Sequence, residues 1–123
     1  MKQEISTPNA PRPVGPYSQG IKVGNRIYVA GQGPKNPVTG QVPETIEGQT
    51  KQVIANIESI LKAAGATLAD VTKVTAHLAS LAYFDAYNEV YEQMFPKPYP
   101  VRTTVGSELD NILVEIDVIA ELA

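Results

Sequence analysis

The stretch Ile112-Leu-Val-Glu-Ile-Asp-Val-Ile-Ala120 decides the fold. In an extended strand its alternation puts Ile112, Val114, Ile116 and Val118 on one face, and Leu113, Glu115, Asp117 and Ile119 on the other. Large apolar residues on both faces predict a sheet whose two surfaces both meet protein. Immediately upstream, Pro98-Tyr-Pro-Val-Arg-Thr-Thr-Val-Gly106 predicts a shorter strand over Arg102–Val105, and Pro96, Pro98 and Pro100 stop whatever precedes it. The two final strands read as a terminal hairpin, which would place Arg102 and Glu115 on adjacent strands.

The same periodicities organise the rest of the chain. Phe84, Tyr87, Val90, Tyr91, Met94 and Phe95 form the apolar stripe of a helix over about 83–95. Residues 71–81, VTKVTAHLASL, are rich in β-branched side chains and predict a strand. Ile46, Val53, Ile57, Ile60, Leu61 and Ala64 recur at helical spacing over about 45–64, and Gly65 is the expected stop. Ile21–Val23 and Arg26–Ala30 flank Gly24–Asn25 as a hairpin. Residues 6–20, with four prolines and two glycines, form an irregular arm, and 31–40, GQGPKNPVTG, a loop.

Hairpin, helix, strand, helix and two strands make an α+β chain over residues 1–123, read as a single domain. The expected architecture is a two-layer α/β sandwich, a mixed sheet with two helices on one face. Two helices cannot cover both faces, so the second predicts an obligate homo-oligomer built on sheet surfaces.

Composition narrows the chemistry. A chain of 123 residues, 43% of them apolar, can form one hydrophobic core. No window approaches the roughly 20 apolar residues of a membrane span, and the first residues lack the apolar core of a signal peptide. No membrane association and a cytoplasmic location are the expectations. The absence of cysteine excludes disulfides, thiolate nucleophiles and cysteine metal sites. A net charge of −3 without a basic run disfavours nucleic acid.

Arg102 is the foremost candidate, because a guanidinium can hold and orient a small carboxylate through two parallel hydrogen bonds. The alternative is a solvated arginine at a strand start. Glu115 sits between Val114 and Ile116, where a carboxylate is costly unless paired or wet; an exposed strand face is the alternative. Tyr17 either lines a pocket with its hydroxyl or packs the arm down. Asn88, between Tyr87 and Val90 in the second helix, is either placed for a hydrogen bond or simply exposed to solvent. His77, the only histidine, has no second imidazole or thiolate with which to hold a metal, and reads as structural. Gly31-Gln-Gly33 lacks the spacing of a dinucleotide fingerprint, and neither a phosphate-binding loop motif nor a nucleophile elbow occurs.

Six segments in order, GPYSQG (15–20), VAGQGPKNPVTG (29–40), QTKQVIANIESILKAAG (49–65), FDAYNEVYEQMF (84–95), PVRTTV (100–105) and VEIDVIA (114–120), resemble the reactive intermediate deaminase family, also called the RidA or YjgF family. The resemblance implies a chorismate-mutase-like fold and a homotrimer with a β-barrel-like core and clefts at the subunit interfaces. It also implies hydrolysis of 2-aminoacrylate-like enamines and imines to 2-keto acids and ammonia, with no metal and no organic cofactor. By the same resemblance Arg102 binds the substrate carboxylate, Glu115 positions the attacking water, and Tyr17 lines the cleft from another subunit. Gly31, Thr103, Thr104 and Asn88 complete the implied site. The chain departs from the family pattern in having Thr104 where many members have cysteine. Its loop GSELDN (106–111) is also shorter by about two residues. The alternative within the same resemblance is a non-catalytic regulatory trimer that binds small 2-keto acids.

Overall fold

The computed structural model describes residues 1–123. Six strands and two helices follow in the order β1 (Lys2–Ile5), β2 (Gly20–Val23), β3 (Arg26–Gln32), α1 (Ile46–Ala63), β4 (Val71–Leu78), α2 (Phe84–Met94), β5 (Val101–Gly106) and β6 (Val114–Glu121). The strands form one mixed sheet ordered β1-β2-β3-β6-β4-β5, antiparallel except for the β4/β5 pair. Both helices lie on one face, as the two-layer reading expected.

Local chemistry accounts for the elements. Thr45 caps α1 by accepting a hydrogen bond from the Gly48 N–H at 3.0 Å. Gly65, at φ +83°, ends the helix in the left-handed conformation that glycine adopts without strain. The β2–β3 turn has its positive φ at Gly24, the first central residue, as a type II′ turn requires. Val53, Ile54, Ile57, Ile60 and Leu61 of α1 are fully buried against the sheet. Each such side chain contributes about 1.5–3 kcal/mol through burial. From β6 they meet Val114, Ile116 and Val118, which are likewise buried.

One expectation is overturned. β5 and β6 do not form a terminal hairpin, because β4 lies between them. The chain runs from β4 through α2 into β5 in parallel, leaving β5 on the sheet edge, and β6 inserts between β3 and β4. The physical reason is burial. β6 carries apolar residues on both faces and takes the interior position, whereas the short, proline-preceded β5 suits an edge. β6 also starts at Val114 rather than Ile112, and β4 stops at Leu78, followed by a 3₁₀ turn over Leu81–Tyr83. β1 was not expected: KQEI has no strand signal of its own and is recruited by pairing along β2.

The face of the sheet opposite the helices has no cover within the chain. Ile21, Tyr28 and Ile119 form one row across it, and Val105, His77 and Glu115 another. Lys73 and then Val101, 67% exposed, continue the first row to the sheet edge.

Candidate functional site

Glu115, the second residue of β6, leaves the strand on this open face. Its side chain leans towards β3, where Gly31 makes room. A Cβ at residue 31 would stand 2.8 Å from Glu115 Oε2, closer than nonbonded carbon and oxygen tolerate. A cleft of about 790 Å³ opens beside the carboxylate, lined also by Tyr17, Arg12, Lys35 and Asp110. Tyr17 is 46% exposed, and its hydroxyl accepts a hydrogen bond from the Val14 N–H at 3.3 Å.

Three buried amides fix the walls of this cleft. Gln19 donates from its amide nitrogen to the carbonyls of Thr7, Ala10 and Pro11, and its oxygen accepts from the Thr7 N–H at 2.7 Å. The proline-rich arm is thereby tied down. Asn56 of α1 donates to the Gly33 and Lys35 carbonyls, both at 3.0 Å, and so holds the loop after β3. Gln49, one turn from the start of α1, donates to the Pro43 carbonyl and accepts from the Leu113 N–H at 2.8 Å, just before β6. A buried amide that satisfies several backbone groups makes an irregular segment as determinate as a strand.

Arg102 lies elsewhere. It is in register with Val74 of β4, and Val74 with Val118 of β6, so its side chain leaves the sheet on the helix-covered face. Glu115 leaves on the other face. The guanidinium carbon sits 4.6 Å from the centroid of the Tyr91 ring, 5.4 Å from that of Tyr87 and 5.6 Å from that of Phe84. These α2 residues form an aromatic ladder, with Tyr91 stacked on Phe95 at 4.4 Å between centroids. The chain's one ion pair is Arg26–Glu121, so Arg102 has no carboxylate partner. Beside it a second recess, about 480 Å³, is lined by Asn88, Glu92, Tyr99 and Pro100 together with Tyr91 and Arg102.

Burial pushes the Tyr91 hydroxyl up to about 12, reinforced by Tyr87 and opposed by the Arg102 charge. Burial also raises Tyr87, against a hydrogen bond to Thr104 and the charge on Arg102. Both phenols therefore stay neutral at physiological pH. On the open face, burial raises the Asp117 carboxyl, and the charges of His77 and Lys73 work against that shift.

The chain thus brings Tyr17, Gly31 and Glu115 to one cleft and Arg102, Thr104 and Asn88 to another place. Thr103, in register with Thr75, points to the open face, away from Arg102. His77 hydrogen-bonds through Nδ1 to Ser107 Oγ at 2.7 Å, tying β4 to the loop after β5. No group of three His, Asp or Glu side chains stands close enough to hold a metal ion. The roles of Gln19, Gln49 and Asn56 were missed from sequence. The signal was available for two of them, because Gln49 and Asn56 fall in the apolar stripe of α1 beside Val53 and Ile60.

The model of the family described as endoribonuclease L-PSP matches residues 7–122. The chain belongs to this family. Among its L-PSP relatives, the reactive intermediate deaminase A of Arabidopsis thaliana, described as chloroplastic, is 44% identical, covering 98% of this chain and 66% of the plant protein. A protein of Dermatophagoides farinae described as 2-iminobutanoate/2-iminopropanoate deaminase is 41% identical, covering 94% of this chain and 93% of the relative. The crystal structure of RidA from an Antarctic Psychrobacter species superposes with a TM-score of 0.94 at 40% identity, covering 98% and 99% of the two chains. The resemblance read from the sequence motifs is thus borne out at the level of family. L-PSP members carry both endoribonuclease and deaminase names.

Proposed function

We propose that the chain is a cofactor-independent hydrolase that deaminates small enamines and imines of 2-keto acids, acting as a homotrimer. The observation that carries this reading is the placement of an unpaired guanidinium and a half-buried carboxylate on opposite faces of one sheet. Neither half suffices alone. A second copy packed on the open face can present its Arg102 to the cleft of Tyr17, Gly31 and Glu115. The uncovered row of Ile21, Tyr28 and Ile119 on that face provides apolar surface for such packing. The deaminase names of two relatives support the choice of reaction.

The chemistry needs few groups. Arg102 binds the substrate carboxylate in a two-pronged hydrogen-bonded pair and fixes the imine carbon relative to the cleft. Glu115 accepts a hydrogen bond from a water and orients its oxygen towards that carbon. Water adds across the C=N bond, its oxygen bonding to carbon and a proton passing to nitrogen. The resulting carbinolamine loses ammonia: Glu115 takes the hydroxyl proton and passes it to the amine nitrogen, so that the C–N bond breaks with NH3 departing and the ketone forms. Arg102 and backbone donors near Gly31 would stabilise charge that develops on the way.

The test is ammonia and 2-keto acid release from 2-aminoacrylate generated in place by a dehydratase. Wild type should exceed the spontaneous rate, and Arg102→Ala and Glu115→Ala should each fall back to it. A wild-type rate equal to the uncatalysed one would overturn the enzymatic reading. Binding of 2-oxobutanoate without turnover would then favour the regulatory alternative.

A further inference from the structure

Arg102 and Thr104 leave β5 on the same face, two residues apart, and one side chain of α2 engages both. The Tyr87 hydroxyl lies 3.0 Å from Thr104 Oγ1, and its ring faces the Arg102 guanidinium at 5.4 Å. Tyr87 is fully buried, and its ring is flanked by Phe84 and Tyr91 at centroid distances of 6.0 and 5.9 Å. Its position is therefore set by packing rather than by the strand it touches. β5 needs such a reference point. It is an edge strand with a single neighbour, it follows a proline-rich connection, and Val101, Thr103 and Val105 on its other face are exposed. Nothing else in the chain bonds to the Thr104 hydroxyl, and no carboxylate orients the guanidinium.

We propose that Tyr87 is a positioning residue for Arg102, acting through its hydrogen bond to Thr104 and the contact of its ring with the guanidinium. This rests on the reading of Arg102 as the carboxylate clamp and assigns what aims it. An arginine side chain has many rotamers, and a clamp whose direction is fixed before the ligand arrives loses less freedom on binding. The hydroxyl bond sets the height of β5 over α2, and the ring, 5.4 Å from the guanidinium carbon, forms part of the aromatic wall that also includes Tyr91 at 4.6 Å. Removing the hydroxyl should let strand and clamp drift together, so Tyr87 and Thr104 should behave as one unit.

The experiment measures the dissociation constant of 2-oxobutanoate by calorimetry for wild type, Tyr87→Phe, Thr104→Val, the double variant and Arg102→Ala. All are compared at matched oligomeric state by sedimentation. Each single variant should weaken binding about three- to tenfold, and the double variant no further than the weaker single, the non-additivity expected of a shared bond. The Arg102 Nε–H proton resonance, assigned by its loss in Arg102→Ala, should move from its ring-shifted position in both single variants. A role confined to holding the fold together would leave that signal in place.

Wild-type affinity and an unmoved resonance in the single variants, with binding lost in Arg102→Ala, would overturn the positioning role and leave the clamp reading intact. Multiplying effects in the double variant would overturn the shared bond. Undiminished binding by Arg102→Ala would instead overturn the clamp reading itself. Should Tyr87→Phe fail to fold, Thr104→Val on the sheet edge reports the same bond from its other end.

Discussion

Gly31 and Glu115 share a single volume: the carboxylate occupies the space that any side chain at residue 31 would need, 2.8 Å from where its Cβ would be. Gly31→Ala must displace the end of a flexible side chain, not the backbone. Because residue 31 is exposed, stability should change by less than about 1 kcal/mol. Turnover should fall about ten- to a hundredfold, since the carboxylate proposed to orient the water is moved by a fraction of an ångström or more. Imine hydrolysis and thermal melting, measured on the same preparation, separate the two effects. Unchanged turnover would show that the carboxylate does not act from this position.

Asn56 holds the Gly33 and Lys35 carbonyls and also accepts from the Gln52 amide at 2.9 Å. Asn56→Ala should cost about 2 kcal/mol, because it leaves buried polar groups without partners. Urea denaturation gives the cost. Amide exchange at Asn36, which pairs with the Gln41 carbonyl in the same loop, should quicken. A stability loss without faster exchange would mean that the loop is held by other contacts.

Tyr91 has the one buried side-chain polar atom without a hydrogen-bond partner, its hydroxyl. Tyr91→Phe removes this atom and keeps the ring under Arg102, so it should stabilise the fold by about 1 kcal/mol. The alkaline behaviour follows from the same burial. The folded hydroxyl ionises near 12 against an ordinary 10.0, so the folded state retains a proton that the unfolded state releases. Stability is then lost as pH rises from 10 towards 12, and Tyr91→Phe should flatten that slope. Urea titrations at pH 8 and 11 test both statements. A less stable variant at pH 8 would indicate that the hydroxyl has found a partner, such as an enclosed water.

Ile119 lies on the uncovered face in register with Tyr28 and Lys73. Ile119→Lys should leave the monomer folded, because the side chain is outside the core, and should abolish the proposed trimer by placing an unpaired charge on the face proposed to form its interface. Sedimentation and circular dichroism check these outcomes, and activity should drop about a hundredfold with assembly. Full activity in a monomeric variant would sink the shared-site reading.

Much of this fold could be read because its elements announce themselves by period. α1 and α2 were legible from their stripes, and the need for protein on both surfaces of the sheet from the two apolar faces of β6. The order of strands was not. Proximity in sequence made β5 and β6 look like a hairpin, and only the parallel return through α2 reveals that β4 separates them. β1 was invisible because its sequence is polar and its conformation comes from β2. For the site, sequence isolated Arg102 and Glu115 but set them on adjacent strands, whereas β4 separates them and their side chains leave opposite faces, since facing depends on register as well as on residue type. Tyr87 was read only as part of a stripe. Its hydroxyl matters because of a partner 17 residues away, which no local pattern discloses.

The division of Arg102 and Glu115 between the two faces has a consequence for inheritance. In the proposed ring each subunit would lend an arginine to one cleft and a glutamate to another. Mixing Arg102→Ala subunits with Glu115→Ala subunits, each inactive alone, would rebuild intact clefts at about a quarter of the interfaces if they reassort at random. Blended with wild type, either defective subunit would silence one cleft per copy, so activity would decline in simple proportion to dose. A cell carrying one good and one bad allele would keep about half its capacity, with no poisoning of the shared assembly.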